Sequence, residues 1–352
     1  MKIGITGTGS YIPAVLTKNS AFNHHEFLNE DGTPFAHENE VIIEKFKAIT
    51  GIEERRYAPD TLNTSDMAFF AAEKAIADAR IDKETLDYII FAHNFGDVNH
   101  GESQGDTLPS LATRVKHHLK IKNPKCVAYD ILFGCPGWIE GVIQAYAFIK
   151  SGMAKKCLVI GAETLSRVVD QYDRDSMIYS DGAGATIIEA SDANGEILAH
   201  ASATYAFEEA NFLFFGKSYA QKDTSGTKFI KMHGRKIYEF AVINVPKAMK
   251  ECLDDSGLAI SDVKKIFIHQ ANEKMDEAIV KRFYKAYGMA MPEGIMPMNI
   301  KENGNSSVAT IPTLFDMVKK GKLAPHSVTK GDVVIFASVG AGMNINAIIY
   351  RY

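Results

Sequence analysis

Apolar residues recur along the chain with two different periods. Short apolar runs of strand length are separated by longer stretches in which apolar residues recur every three to four positions, as on one face of a helix. This alternation continues through the whole sequence and is typical of a layered α/β fold. The clearest predicted strands are 86–92, 127–132, 157–161, 185–190, 265–269 and 333–337, and the clearest predicted helices are 136–150, 234–256 and 273–287.

A short motif is present in both halves of the chain. The pattern Ser-x-Gly-Ala-Gly-x-x-Ile occupies residues 180–187 and again residues 338–345, and each copy lies near the end of its half. We read residues 180–184 as a turn that precedes a strand over residues 185–190. The repeat predicts an internal duplication, with an N-terminal half of residues 1–193 and a C-terminal half of residues 194–352, divided at a polar turn.

Cys135 occupies the junction between the strand 127–132 and the helix 136–150. We expect Pro136 at the first helical position, where its missing N–H has no partner to lose. The positive end of the helix dipole favours a thiolate, and unpaired amides there can donate to an oxyanion. An ordinary buried cysteine is the alternative, because free cysteine is often buried.

Two other polar groups follow or precede predicted elements far from Cys135 in sequence. His269 ends an apolar strand, and Asn305 lies in a Gly-Asn-Ser-Ser stretch before a helix. In layered α/β folds, ligands bind beyond the carboxyl ends of strands. A satisfied core histidine and a turn asparagine are the alternative interpretations.

Composition narrows the possible environments and partners. The net charge of −4 gives no indication of a nucleic acid or anionic membrane partner. The four cysteines form no CxxC pair and no metal-ligand spacing, so we predict free thiols, no metal site and a cytoplasmic location. No apolar run reaches the roughly 18 residues of a membrane span.

Together these stretches resemble β-ketoacyl-acyl-carrier-protein synthase III, a condensing enzyme of the thiolase superfamily. The resemblance implies a thiolase-like α/β fold, with two duplicated halves in an αβαβα arrangement and a homodimer. It also implies decarboxylative Claisen condensation of an acyl thioester with a malonyl group on acyl carrier protein, with acyl-CoA as a substrate and no cofactor. The matching segments are 50–52, 133–137, 181–184, 269–272, 304–307 and 340–342.

The resemblance also assigns roles to residues. Cys135 would carry the acyl group, and His269 and Asn305 would donate hydrogen bonds to the thioester oxygen of the malonyl substrate. The oxyanion hole for the acyl group would comprise Cys135 and the loop of Gly340, Ala341 and Gly342.

Substrate contacts are expected at three further positions. Arg174 matches a coenzyme A contact, Asn272 is assigned to substrate binding, and Leu108 matches a residue that lines the acyl pocket of the partner subunit. The usual aromatic and arginine of the coenzyme A clamp are replaced by Lys45 and Ile49, so coenzyme A binding is expected to be altered.

A basic patch is expected to dock the acidic carrier protein, with a solvated charged face as the alternative. Its members would be Lys231, Arg235, Lys236 and Lys274.

The acyl group itself is expected to differ from acetyl. Bulky residues (Phe133, Pro136 and Trp138) flank Cys135, and the aromatic run 212–215 would either cover an acyl tunnel or serve as a core or dimer contact. Three other functions remain open at this point: a specialised condensing enzyme of secondary metabolism with a diketide or resorcinol-type product, a Cys-His-Asn thioester hydrolase, and a non-catalytic subunit.

Overall fold

A computed structural model describes residues 2–191 and 195–352. Within these ranges the strands are β1 (Ile3–Tyr11), β2 (Val15–Lys18), β3 (Glu54–Tyr57), β4 (Tyr88–Ala92), β5 (Val127–Ile131), β6 (Lys156–Thr164), β7 (Asp181–Ala190), β8 (Glu196–Thr204), β9 (Leu213–Lys217), β10 (Lys228–Met232), β11 (Val263–Ile268), β12 (Val333–Gly340) and β13 (Asn344–Arg351). The α-helices are α1 (Asn39–Thr50), α2 (Thr64–Ala79), α3 (Leu111–His118), α4 (Gly137–Lys150), α5 (Gly234–Asp255), α6 (Glu273–Lys285), α7 (Ile300–Asn303) and α8 (Thr310–Lys319).

Two sheets with matching topology form the framework. The first sheet has the order β1-β7-β6-β4-β5 and the second the order β8-β13-β12-β11. The pairs β1/β7 and β7/β6 are antiparallel and β6/β4 is parallel, and the corresponding pairs β8/β13, β13/β12 and β12/β11 repeat these directions. The duplicated α/β fold predicted from the sequence is therefore confirmed.

The helices form three layers around the two sheets. Helices α2 and α3 cover the outer face of the first sheet, and α5 and α6 cover the outer face of the second. Helices α4 and α8 lie between the sheets and contact both, so their buried faces share one core with residues of each sheet. This is the predicted αβαβα arrangement. No helix in the described ranges combines the length and the hydropathy needed to cross a membrane.

Some local predictions differ from the structure. Residues 181–184 are not a turn, because β7 already begins at Asp181 and pairs with strands on both sides. The region 206–230, predicted as a loop, contains β9 and the start of β10, which pair as an antiparallel hairpin. The predicted division at residues 193 and 194 falls outside the described residues and stays a prediction.

Trp138 fills the middle layer between the two sheets. It lies in the first turn of α4, is 1% exposed, and meets the ring of Phe336 on β12 edge-on with centroids 5.7 Å apart. The indole therefore joins α4 to the second sheet through close packing. Stability that comes from close packing is reduced when a side chain loses volume.

We predict that Trp138→Ala lowers the free energy of unfolding by about 3–5 kcal/mol, because a large buried side chain leaves a cavity. Urea unfolding monitored by circular dichroism measures this change. Trp138→Phe retains an aromatic ring in the same layer and serves as the matched control, with a smaller expected loss. Equal stability of Trp138→Ala and the wild type would show that the middle layer is not packed as described.

Candidate active site

Cys135 lies at the contact between two loops, one from each half of the chain: the loop after β5 and the loop after β12. The segment after β5 turns through Gly134, whose φ of +65° places it in the left-handed region, and α4 then begins at Gly137 with Pro136 at the N-cap. A Cβ on Gly134 would lie 2.6 Å from the Ala341 backbone nitrogen, so a side chain there would collide with the loop after β12. Glycine at this position is what allows the two loops to approach.

The structure brings the three predicted catalytic residues together. Cys135, His269 and Asn305 line one cavity, although they come from the turn after β5, the end of β11 and the turn before α8. Tyr179 and Met232 contribute apolar surface to the same cavity. One thioester placed in this cavity can therefore contact all three functional groups.

Asn305 is held by hydrogen bonds of both its backbone and its side chain. Its N–H donates to the Ile178 carbonyl at 3.0 Å, and its carbonyl accepts from the Ser180 N–H at 2.8 Å, which ties the turn to the first half of the chain. The side-chain Oδ1 accepts from the Ser307 N–H at 2.8 Å. With its oxygen occupied, the carboxamide presents its NH₂ group as the donor to a ligand.

His269 is a neutral imidazole in this site. It follows β11, its backbone N–H donates to the Ala337 carbonyl at 2.9 Å, and the residue is 4% exposed. Burial lowers the pKa of His269 to about 4, because the cationic form is desolvated. At neutral pH the ring therefore carries one N–H that can donate a hydrogen bond, and it carries no charge.

The Cys135 thiol is protonated in the resting site. Burial raises the pKa of Cys135 to about 11, and the nearby Glu163 adds to the increase, while a hydrogen bond from Ser307 opposes it. The Ser307 Oγ donates to the Cys135 Sγ at 3.4 Å. The prediction that the helix end favours a thiolate here is therefore wrong, because desolvation of the sulfur outweighs it.

The second copy of the repeated motif lies against the nucleophile. In the first half Gly182, Ala183 and Gly184 belong to β7, whereas in the second half the chain leaves β12 at Gly340 and turns through Gly342 at a φ of 75°. A Cβ on Gly340 would overlap the Cys135 backbone nitrogen.

The side chain of Asn344 ties this turn to the cysteine loop. Its Nδ2 donates to the Ala341 carbonyl at 2.9 Å and to the Phe133 carbonyl at 3.3 Å. The predicted oxyanion-hole residues are thus neighbours of Cys135.

A second cavity also opens onto Cys135. Its walls are mainly apolar and include Leu165, Phe214 and Ile230. The rings of Phe95 and Phe215 stack there with centroids 5.0 Å apart. Three residues of the run 212–215 (Leu213, Phe214 and Phe215) therefore face a space next to the nucleophile.

The predicted substrate-binding residues have different positions. Asn272 lines the cavity of Cys135 and caps α6, because its Oδ1 accepts from the Met275 N–H at 3.1 Å. The Arg174 side chain is 54% exposed, lies 5.1 Å from the ring centroid of Phe35 and lines neither cavity. Leu108 is 87% exposed and lines neither cavity of its own protomer.

Three of the four predicted docking residues are on the surface. Arg235, Lys236 and Lys274 are exposed. The assignment of Lys231 to this patch is wrong, because strand β10 directs its side chain inward, where Nζ bonds to Asp170 at 2.7 Å and Asp173 at 3.0 Å. A buried lysine paired with two carboxylates is not available to a partner.

The bulky residues beside Cys135 do not narrow the site. Phe133, Pro136 and Trp138 line neither cavity, and Trp138 points into the core instead. Sequence reasoning missed Tyr179, which lines both cavities and lies in no motif that marks it.

We predict that Gly340→Ala slows acylation of Cys135 by a thioester at least tenfold, because the added methyl displaces the loop that holds the oxyanion donors. Gly182→Ala is the matched control at the equivalent motif position, where the nearest atom to an added Cβ is 3.6 Å away. Rapid-quench mass spectrometry measures both rates. Equal acylation rates in the two variants would remove the loop from the oxyanion hole.

Comparison with known proteins agrees with this geometry. A family model described as 3-oxoacyl-[acyl-carrier-protein (ACP)] synthase III matches residues 129–206, and the model of its C-terminal part matches residues 253–352. The chain is 31% identical to a β-ketoacyl-[acyl-carrier-protein] synthase III of Erythrobacter litoralis, with 100% of both chains covered.

Solved structures of related proteins share the fold. The crystal structure of 3-oxoacyl-[acyl-carrier-protein] synthase III from Aquifex aeolicus superposes with a TM-score of 0.81 at 31% identity, covering 99% of this chain and 100% of that one. The priming β-ketosynthase of the R1128 polyketide biosynthetic pathway superposes with a TM-score of 0.80 at 25% identity. The match covers 99% of this chain and 96% of that one. The chain therefore belongs to the β-ketoacyl-[acyl-carrier-protein] synthase III family of acyl-transferring condensing enzymes.

Proposed function

We propose that Cys135 is the nucleophile of the first half-reaction. Its sulfur attacks the carbonyl carbon of an acyl thioester, the new S–C bond forms, and the bond to the carrier sulfur breaks. The carrier leaves as a thiol with the proton that Cys135 gave up, so the step is balanced. Backbone N–H groups of Cys135 and of the loop 340–342 stabilise the negative oxygen that forms in between.

In the second half-reaction His269 and Asn305 act on a malonyl thioester. Loss of CO₂ leaves its electron pair as an enolate, whose oxygen accepts hydrogen bonds from the imidazole N–H and the Asn305 NH₂ group. The enolate carbon then attacks the acyl-cysteine, forms the new C–C bond and releases the Cys135 sulfur as a thiolate, which takes up a proton from water to restore the resting thiol. Decarboxylation generates the carbanion, so no strong base and no cofactor is needed.

The shared cavity of Cys135, His269 and Asn305 is the observation that carries this proposal. The low pKa of His269 supports a role as a neutral donor. A Cys-His-Asn hydrolase would need Asn305 to orient the imidazole, as the third group of a triad does. Instead, Oδ1 of Asn305 accepts from Ser307, and Nδ1 of His269 has no hydrogen-bond partner among the described residues.

Membership of the family indicates which carriers deliver the two substrates. We expect acyl-CoA or an acyl carrier protein as the first donor, malonyl-carrier protein as the second, and the face of Arg235, Lys236 and Lys274 as the docking surface. The four cysteines are free thiols, which supports a reducing cytoplasmic setting. The exposed Leu108 supports a homodimer, in which this side chain would be covered by the partner subunit.

The aromatic second cavity supports an acyl group larger than acetyl. Phe95, Phe214 and Phe215 offer apolar surface next to the nucleophile, and such surface binds hydrocarbon in proportion to the area it buries. A priming role in secondary metabolism is the second candidate, and the likeness to the R1128 priming β-ketosynthase favours it.

We predict that Cys135→Ser abolishes formation of the acyl-enzyme, whereas His269→Ala and Asn305→Ala still acylate but lose decarboxylation at least a hundredfold. Acylation is measured with a radiolabelled acyl thioester, and decarboxylation by CO₂ release from labelled malonyl thioester. Asn303→Ala, at the end of α7 and two residues before Asn305, is the control. Condensation by all three site variants, or free acid as the sole product of the wild type, would refute the assignment.

We predict that Lys274→Glu raises the KM for malonyl-carrier protein severalfold and leaves the reaction of acyl-CoA with Cys135 much less affected, since the reversed charge repels an acidic carrier. Lys285→Glu, at the far end of the same helix, is the charge-matched control. Steady-state kinetics at two salt concentrations make the comparison. Equal KM values for the two variants would exclude this end of α6 from docking.

A further inference from the structure

Beside Cys135, a chain of polar side chains leads away from the cavity that contains His269 and Asn305. Asn94 Nδ2 donates to Glu163 Oε1 at 2.6 Å and to Ser307 Oγ at 3.3 Å. Ser307 Oγ in turn donates to Cys135 Sγ at 3.4 Å. Glu163 is 0% exposed and Ser307 is 5% exposed, whereas Asn94 is half-buried and, like Ser307, lines the second cavity.

The chemistry of the donors gives this chain one direction. A carboxamide NH₂ group has two protons to donate and no lone pair to accept with, so Asn94 supplies one proton to Glu163 and one to Ser307. The Ser307 oxygen then accepts from Asn94, and its single proton is directed to the Cys135 sulfur. Glu163 fixes the rotation of the amide, and the amide fixes the direction of the hydroxyl.

The backbone of Ser307 adds a second constraint. Its φ of 52° is in the left-handed region, which a residue with a side chain adopts only when its surroundings enforce it. In this conformation the Ser307 N–H donates to Asn305 Oδ1 while its hydroxyl donates to Cys135. Ser307 therefore orients Asn305, the proposed donor of the second half-reaction, and also contacts Cys135, the proposed nucleophile of the first.

We infer that Glu163 and Asn94 are positioning residues that hold the Ser307 hydroxyl as a hydrogen-bond donor to Cys135, and so set how readily the thiol loses its proton in the acylation step. This inference rests on the proposed role of Cys135 as the nucleophile. It adds a role for three side chains that do not take part in the decarboxylation chemistry assigned to His269 and Asn305.

The protonation of Glu163 is consistent with this role. Burial raises the pKa of Glu163 to about 8, the bond from Asn94 opposes the increase, and Asp181 on the neighbouring strand adds to it. The Oε2 atom of Glu163 has no hydrogen-bond partner among the described residues, so this oxygen can carry the proton of the neutral carboxyl group. A neutral carboxyl keeps the acceptor for Asn94 without repelling a thiolate, whereas an ionised Glu163 disfavours the thiolate.

The test measures the reactivity of the thiol directly. The rate of Cys135 alkylation by iodoacetamide is followed between pH 6 and 10 by peptide mapping, for the wild type and for Asn94→Ala, Ser307→Ala, Glu163→Ala and Glu163→Gln. Without the donor to sulfur, Asn94→Ala and Ser307→Ala lower the alkylation rate at each pH in this range, because less thiolate is present, and slow acylation at neutral pH about tenfold or more. Glu163→Ala behaves like Asn94→Ala.

Glu163→Gln is the conservative variant that separates positioning from general disruption. Its carboxamide oxygen still accepts from Asn94 but cannot ionise, so the effect on acylation is smaller than in Glu163→Ala and the inhibition above about pH 8 disappears. The pKa of Glu163 lies within this pH range, whereas burial raises the pKa of Tyr179, which also faces Cys135, well above its usual value and raises the pKa of Asp181.

The other cysteines report on folding in the same experiment. Cys126, Cys157 and Cys252 are buried, so their alkylation identifies a variant that has opened. If alkylation of these cysteines shows that Asn94→Ala is partly unfolded, Asn94→Leu replaces it, because leucine fills a similar volume without making the hydrogen bonds. Alkylation profiles for both Asn94 variants and Glu163→Ala that match the wild type overturn the inference. Alkylation of wild type away from Cys135 would instead overturn the proposed nucleophile.

Discussion

Close contact between two loops, one from each half of the duplicated chain, is the constraint on which the site depends. Gly134 and Gly340 are the residues that permit it, because a methyl group at either would collide with the backbone of the other loop. Asn344 then joins the two loops by hydrogen bonds to the carbonyls of Phe133 and Ala341. The nucleophile and the predicted oxyanion donors are thus fixed by the packing between the halves.

Burial at this contact determines the chemistry of the site. It makes His269 neutral and keeps Cys135 protonated, so the resting site holds no ion pair between thiolate and imidazolium. Such a site is poorly prepared for base catalysis and well prepared to stabilise charge that appears during the reaction. The hydrogen bond from Ser307 opposes the effect of desolvation on the pKa of the Cys135 thiol.

The sequence predicted the fold, and its resemblance to a known family singled out three residues that the structure brings into one cavity. Alternating periods predicted the layers, and the repeated Gly-Ala-Gly motif predicted the duplication. The sequence was insufficient for properties that depend on the surroundings of a side chain in the folded protein. Desolvation reversed the expected charge state of Cys135. Strand β10 directs the Lys231 side chain inward to Asp170 and Asp173. Trp138 was misjudged because adjacency in sequence to Cys135 does not place a side chain in the cavity. Glu163 and Asn94 carry no local signal, since only the tertiary fold brings them to Ser307.

The central claim is that one sulfur receives the acyl group and returns it to a carbanion formed in the same cavity. Peptide mapping of the wild-type protein after exposure to an acyl thioester, followed by a chase with malonyl thioester, tests it most directly. The account predicts an acyl adduct on the peptide that contains Cys135, which disappears on the chase as β-ketoacyl product forms in equal amount. An adduct on another residue, or one that the chase leaves in place, would contradict it.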